Sequence, residues 1–192
     1  MNAAVTVLFL LNFLFVGILL LIFFKRDGRL NLAWWLAAAP YLLCSLFLIA
    51  AFFRAVSPVS GLGTPLTGWL SVIAVLFSAG SIALIAYTLG THRLRIALWH
   101  QSSDAPEQIV TYGAYSRIRH PFYAAILLAL LGALIFCPHP ATLTLLAYGF
   151  LVMNWTAAKE EKRLSESKFG DEYRVYIRRT GRFIPRWGRA AP

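Results

Sequence analysis

The chain has 192 residues, of which 59% are hydrophobic, with a mean hydropathy of +0.65 and a formal net charge of +10. This composition excludes an ordinary soluble domain, since soluble domains hold fewer apolar residues. The basic residues follow the ends of apolar runs and form no groove interleaved with aromatic residues, which argues against nucleic-acid binding. The sequence therefore predicts an all-α integral membrane protein in contact with membrane lipids.

Three apolar runs in the first half are long enough to cross a bilayer. They cover Ala3–Phe24, Leu32–Phe53 and Leu66–Leu89, and none contains an interior charge. A spanning helix needs about 20 predominantly apolar residues. Lys25 and Arg26 follow the first run instead of preceding it, so we expect this run to remain in the mature protein and not to act as a signal peptide.

A fourth apolar region, Phe122–Ala158, is longer than one span and is interrupted by the sequence CPHP at residues 137–140. Two prolines so close together cannot continue a helix, so the region predicts a hairpin of two rather short helices. With the three earlier runs this gives about five transmembrane helices. We treat residues 1–192 as one membrane domain, with three spans in 1–89 and a second, more polar half in 90–192.

Charge predicts the orientation, because positively charged loops stay on the cytoplasmic side. Five spans with an outside N-terminus place the basic groups near Lys25, Arg93 and Arg117 on one inner face, together with the basic tail, and leave only Arg54 outside. All 8 acidic residues fall on the same inner face. We therefore expect a multi-pass protein of a bacterial inner membrane, with a cytoplasmic C-terminus and a cytoplasmic site.

Residues 117–123, RIRHPFY, stand directly before a hydrophobic helix. Pro121 is favoured in a first helical turn and predicts the helix start, with His120 near the cap. The N–H groups and positive partial charge of a helix start can receive an anion, which Arg119 would reinforce. An alternative stays open: Arg117 and Arg119 reach lipid headgroups and His120 only caps the helix.

An acidic pair, Glu160 and Glu161, leaves the last span where the hairpin returns towards Pro121. We therefore expect the acidic pair and the helix start to be neighbours. A carboxylate at this place can hydrogen-bond a ribose diol, or pair with Arg119 or His120. An ordinary salt bridge at the membrane interface is the alternative for at least one of the two glutamates.

Several motifs in this half resemble, in order and spacing, the isoprenylcysteine carboxyl methyltransferases and the wider group that includes phospholipid N-methyltransferases. They are GAYxxxRHPxY at residues 113–123, the Glu160-Glu161 pair, FGDEYxxY at 169–176 and TGRFIP at 180–185. The resemblance covers roughly half the chain, residues 91–185. The first three spans resemble the family only in being hydrophobic.

The resemblance implies a membrane-embedded enzyme that transfers a methyl group from S-adenosylmethionine to a lipophilic acceptor entering from the bilayer. It implies a cytoplasmic cofactor pocket between residues 90–119, the start of the fourth span and a closing helical tail. The cofactor-binding residues that it implies are His100, Glu107, Gln108, Ile109, Val110, Tyr115, His120, Pro121, Phe122, Tyr123 and Glu161. The catalytic residues that it implies are Arg119, Glu160 and Glu161, and it implies no metal.

One departure from the family pattern concerns the acceptor. Many members have an arginine, assigned to the substrate carboxylate, three residues before the acidic pair, where this chain has Ala157. A phospholipid or amine N-methyltransferase is therefore kept as an alternative. The alternative of another class is a non-catalytic membrane transporter or scaffold, and for a transporter we would expect ionisable residues inside the spans. The sequence leaves open the oligomeric state and the roles of Tyr176, Arg178 and Arg179.

Overall fold

A computed structural model describes residues 2–19, 23–24, 27–57, 64–91 and 109–186, and in these ranges the regular secondary structure is entirely helical. The α-helices are α1 (Ala3–Leu19), α2 (Leu32–Phe52), α3 (Thr64–Thr91), α4 (Pro121–Phe136), α5 (Pro140–Ser165) and α6 (Gly170–Arg179). One short 3-10 helix, Gly113–Ser116, precedes α4. The all-α prediction is confirmed for the described part of the chain.

Three of these helices contain segments long and apolar enough to cross a membrane, namely Leu32–Phe52, Leu66–Thr91 and Pro140–Ser165. Two shorter apolar helices, Ala3–Gly17 and Pro121–Phe136, accompany them. Many large apolar side chains on the outer surface of the bundle are exposed, as expected where lipid replaces water. The protein is therefore a helical membrane protein, and the count of five spans stays a prediction.

The hairpin forms where the prolines predicted it. α4 ends at Phe136, and Pro140 occupies the first turn of α5, where its missing N–H costs nothing. His139 caps α5, because its Nδ1 accepts a hydrogen bond from the backbone N–H of Ala141 at 3.1 Å. The two prolines thus end one helix and begin the next.

The ends of α1 and α5 differ most from the sequence prediction. Phe24 does not belong to α1, since it pairs with Leu30 in an isolated antiparallel bridge. α5 is not short: it has 26 residues and continues through the charged stretch to Ser165. Lysine, glutamate, arginine and leucine are good helix formers, so the stretch after Ala158 extends the helix instead of ending it. Glu160 and Glu161 consequently lie on the last turns of α5.

Helix α4 lies at the centre of the bundle, packed against both α3 and α5, while α2 packs against α5. Ten of the 16 residues of α4 are buried. Its small residues let neighbouring helices approach closely. At Gly132, an added methyl group would lie only 3.0 Å from the side chains of Phe9 and Phe77.

The tail after α6 folds back along the segment that precedes α4. Ile118 and Gly181 form a parallel bridge, and the N–H of Arg119 donates to the Gly181 carbonyl at 2.8 Å. The N–H of His120 donates to the Arg182 carbonyl at 3.1 Å. This pairing fixes the TGRFIP motif beside the RHP motif, although the two are about 60 residues apart in sequence. It brings the polar residues of both segments to the start of α4.

Candidate functional site

Glu161 is the centre of a buried ion-pair network. Its Oε1 accepts from Arg119 Nε at 2.8 Å and from Arg182 Nε at 3.1 Å, and its Oε2 accepts from Arg182 Nη2 at 2.5 Å. Its side chain is only 10% exposed. A carboxylate buried to this extent needs such partners, because an unpaired charge away from water is costly. Glu161 therefore joins the start of α4 to the tail.

Arg119 also holds the end of α6. Its Nη1 donates to the carbonyl of Ile177 at 3.1 Å and to the carbonyl of Thr180. These carbonyls lie where a helix leaves its last acceptors without backbone donors and where a cation is favoured. The side chain is 9% exposed. One guanidinium thus connects α5, α6 and the segment before α4.

A second polar cluster lies beside this network and contains the other glutamate. The Tyr123 hydroxyl donates to Glu160 Oε1 at 2.8 Å, and His120 Nδ1 lies 3.4 Å from Glu160 Oε2. The rings of His120 and Tyr123 stack with centroids 5.3 Å apart and planes inclined by 3°. The Glu160 side chain is 30% exposed, so it is the more accessible carboxylate of the two.

His120 is buried, and its environment favours the charged imidazolium. Burial alone would lower its pKa, but the neighbouring carboxylates of Glu160 and Glu161 outweigh burial, so the pKa of His120 is raised. Nε2 lies 3.3 Å from Glu161 Oε1, yet it makes no well-aligned hydrogen bond to any described residue. The site therefore contains a buried nitrogen without a hydrogen-bond partner in this part of the chain.

Tyr176 fixes the 3-10 helix against α6. Its hydroxyl donates to the Tyr115 carbonyl at 2.6 Å, and the Ala114 N–H donates to Thr91 Oγ1 at 3.2 Å. Gly113 has a φ of +59°, where a side chain would be strained and would clash with Thr91. Burial raises the pKa of both Tyr115 and Tyr176, so both remain neutral at physiological pH. These contacts give Tyr176 a structural role.

A cavity of about 1090 Å³ lies between α4 and α5 and is lined at one end by the tail. Its walls are mainly leucine side chains of the two helices, together with Leu84 of α3 and Phe183 of the tail. The polar side chains in its lining are those of Arg119, Asn154 and Arg182, all at the end near Glu161. The cavity suits a molecule with a long apolar part and a small polar end.

Most of the residues implied by the resemblance meet in this region. Six of them surround the start of α4: Arg119, His120, Pro121, Tyr123, Glu160 and Glu161. Tyr115 lies on the adjoining 3-10 helix, and Phe122 packs into the hydrophobic core. Ile109 and Val110 are half-buried at the start of the segment. His100, Glu107 and Gln108 lie outside the described residues. The assigned roles of all these residues stay predictions.

Two residues of the site were missed by the sequence analysis. Arg182 stands in the TGRFIP motif, but nothing in the motif indicates that it reaches Glu161. Asn154 accepts from Arg182 Nη1 at 2.7 Å through its Oδ1. It lies seven residues before Glu161, two helical turns along one face of α5, and this spacing is the signal that identifies it.

Comparison with known families agrees with the motifs. A model of the phospholipid methyltransferase family matches residues 66–172, which is more than half of the chain. The chain belongs to the phospholipid methyltransferase family. The matched range contains most of α3, all of α4 and α5, and the RHP and Glu-Glu motifs. The resemblance to the membrane methyltransferases is thereby confirmed, since this family is made up of methyltransferases.

Two curated relatives of this methyltransferase-family chain are named for resistance to metals. The cobalt-zinc-cadmium resistance protein CzcN of Cupriavidus metallidurans is 35% identical over 118 residues, which cover 62% of this chain and 52% of the relative. The nickel-cobalt-cadmium resistance protein NccN of Alcaligenes xylosoxydans xylosoxydans is 31% identical over 118 residues, 62% of this chain and 53% of the relative. The chain thus spans about half the length of these relatives. No solved structure matches it.

Proposed function

We propose that this protein is a membrane-embedded methyltransferase that transfers a methyl group from S-adenosylmethionine to a lipophilic acceptor, as the isoprenylcysteine carboxyl methyltransferases do. The family supports the reaction class. The observation that carries the proposal is a polar cluster of His120, Tyr123 and Glu160 at a helix start, next to an apolar cavity of about 1090 Å³. The cluster suits a charged, water-soluble cofactor and the cavity suits a lipid.

The residues of the cluster fit the functional groups of S-adenosylmethionine. The cofactor has two cationic groups, a carboxylate and a ribose diol. Glu160, which is partly exposed, can accept from the diol or pair with a cation, and His120 and the positive end of α4 can receive the carboxylate. Both oxygens of Glu161 already accept from arginines. We therefore assign the cofactor contact to Glu160 and a supporting role to Glu161.

The bound cofactor would supply a methyl group on a sulfonium: a lone pair of the acceptor forms a bond to the methyl carbon, and the electrons of the broken carbon–sulfur bond return to sulfur. Such a displacement depends chiefly on proximity, orientation and exclusion of water. Phe183 contributes to the exclusion of water, since the centroid of its ring lies 6.2 Å from that of His120 and 6.5 Å from that of Tyr123. Arg119 and Arg182 hold the tail, and with it Phe183, in place.

The position of the cavity supports entry of the acceptor from the bilayer. Leu143 and Phe150 in its outer wall are 56% and 48% exposed, and in a membrane this surface faces lipid. A carboxylate acceptor is already ionised at neutral pH, whereas an amine must first lose a proton. The description of the matched family favours a phospholipid as the second candidate acceptor.

A competing proposal follows from the names of the two relatives, namely a non-catalytic role in metal resistance. Within the described ranges, no group of three or more His, Cys, Asp or Glu side chains is arranged to hold a metal ion. The cluster at the start of α4 and the neighbouring cavity instead support methyl transfer. A direct test of cofactor binding separates the two proposals.

The test is calorimetric titration of S-adenosylmethionine and its demethylated product into the protein, in detergent and in lipid nanodiscs. We expect saturable binding that weakens about tenfold or more in Glu160→Gln and His120→Asn, because each removes a hydrogen bond to a charged group. Glu166→Gln is the matched control, since Glu166 ends α5 with an exposed side chain. A folded protein that binds neither compound in lipid, or variants that bind like the wild type, would refute the assignment.

A further inference from the structure

The polar end of the cavity presents hydrogen-bond donors. Arg119, Asn154 and Arg182 are the polar side chains in its lining, whereas the carboxylate that neutralises the arginines, Glu161, does not line it. Two guanidinium groups share this carboxylate. The lining at this end therefore carries an excess of positive charge.

Arg182 retains donors for a ligand. A guanidinium has five N–H groups and no acceptor. Three are used: Nε and Nη2 each donate to Glu161, and Nη1 donates to Asn154. The other two have no hydrogen bond to any described residue, and the side chain is 31% exposed. Glu161 thus orients the Arg182 side chain, while two of its guanidinium N–H groups remain available to a ligand in the cavity.

Asn154 is oriented in turn by Arg182. Because arginine can only donate, the atom of Asn154 that lies 2.7 Å from Arg182 Nη1 must be the amide oxygen. The amide nitrogen then has its two N–H groups available, and it makes no hydrogen bond within the described residues. An asparagine side-chain amide without such a partner can either donate or accept a hydrogen bond. Here the arginine has fixed it as a donor.

We propose that Arg182 and Asn154 form the headgroup site of the cavity, and that it takes an amphiphile with an anionic oxygen headgroup, a carboxylate or phosphate, and an apolar chain. This inference rests on the proposed function in taking the bound amphiphile to be the methyl acceptor. Oxygen anions match fixed N–H donors, while an ammonium headgroup would meet two guanidinium groups and, among the described lining residues, no carboxylate. From Asn154 to Leu143 the cavity follows α5 for roughly 16 Å, which accommodates an extended chain.

The experiment uses the full chain in nanodiscs and a hexadecanoate that carries a photoreactive diazirine on its chain. Crosslinked residues are located by mass spectrometry. Hexadecanoate, hexadecyl phosphate, hexadecylamine and hexadecanol then compete at equal mole fractions in the membrane. We expect crosslinks to α4 and α5 and competition by the two anions. The amine and the alcohol should compete about tenfold or more weakly than the anions, because they lose a charge-assisted hydrogen bond. The two anions also distinguish a carboxylate site from a phosphate site.

Two variants test the named residues. Asn154→Leu keeps the size and removes the donors, and Arg182→Lys keeps the charge and removes the fork, so each should weaken anion binding severalfold. Arg178→Lys is the control, since Arg178 lies exposed on α6. Equal competition by the amine, or an unchanged Asn154→Leu variant, would overturn the headgroup site.

Calorimetry with S-adenosylhomocysteine on the same preparations separates this inference from the proposed function. Normal cofactor binding without headgroup selectivity would leave the methyltransferase proposal standing and refute the headgroup site. Headgroup selectivity without cofactor binding would leave the binding site standing and refute methyl transfer.

Discussion

Replacing Glu161 by glutamine should destabilise the fold more than the same replacement of Glu160. Glutamine keeps the shape of the side chain but removes the charge that both Arg119 and Arg182 use. Removing one partner of a buried charge cluster costs about 3–5 kcal/mol. The Arg182 side chain is 31% exposed, so water screens part of the loss. We therefore expect a loss of about 3 kcal/mol for Glu161→Gln, the low end of that range.

The matched variant is Glu160→Gln. Glu160 is 30% exposed; it accepts from the Tyr123 hydroxyl at 2.8 Å, and His120 Nδ1 lies 3.4 Å from its Oε2. Because water screens these contacts, weakening them should cost about 1 kcal/mol, the net contribution of an ordinary hydrogen bond. Arg182→Gln should lie between the two, because Glu161 would retain Arg119 as a partner.

The free energy of unfolding can be measured by denaturant titration in mixed micelles, with tryptophan fluorescence as the signal. A double-mutant cycle between Glu161→Gln and Arg182→Gln then gives the coupling energy of that pair. If Glu161→Gln were less destabilising than Glu160→Gln, or if the cycle gave no coupling, the assignment of Glu161 as the centre of the network would be wrong.

Three further changes test other features. Gly181→Ala should cost about 1–3 kcal/mol, since a methyl group there would overlap the carbonyl of Ile184, and limited proteolysis should show a loosened tail. The pKa of His120 is raised in the fold, so the stability that its charged imidazolium contributes is fully present below the ordinary pKa of histidine and is lost as pH rises through the raised pKa. The melting temperatures of the wild type and of His120→Gln should therefore converge over that pH interval. Arg54→Cys should react with an impermeant maleimide on intact cells and Lys162→Cys only after permeabilisation, and the reverse pattern would refute the orientation.

The hairpin could be predicted because its cause is local. Pro138 and Pro140 stand only two residues apart and together disfavour an uninterrupted helix at residues 137–140, and Pro121 is of the residue type favoured in a first helical turn. Only the length of the second hairpin helix was underestimated. Two rather short helices were expected, but α5 continues past Ala158 to Ser165, because the charged residues that follow favour a helix.

At the site, the sequence predicted which segments meet but not which atoms pair. The Glu-Glu pair and the RHP motif do meet, as a hairpin requires. The different roles of Glu160 and Glu161 depend on Arg182, which lies 21 residues beyond Glu161 and reaches it only because the tail pairs with Ile118. No local pattern contains that contact. Arg182 also donates to Asn154, so the role of that residue depends on the same return of the tail.

Because Arg182 contacts both Glu161 and Asn154, the two proposed ligand sites should be coupled through the tail. An anionic headgroup at Arg182 would strengthen the hold on the tail, whose Phe183 covers His120 and Tyr123. Coupling between sites is typically about 1–3 kcal/mol, or roughly 5- to 150-fold in affinity, and acts equally in both directions. Hexadecanoate should therefore tighten the binding of S-adenosylhomocysteine measured by calorimetry, and the cofactor product should tighten hexadecanoate by the same factor. Arg182→Lys should reduce the coupling factor, because a lysine ammonium cannot hold the Glu161 carboxylate and the Asn154 amide together in the fixed geometry of a guanidinium. Unchanged affinity for each ligand in the presence of the other would show that the tail holds the two sites independently.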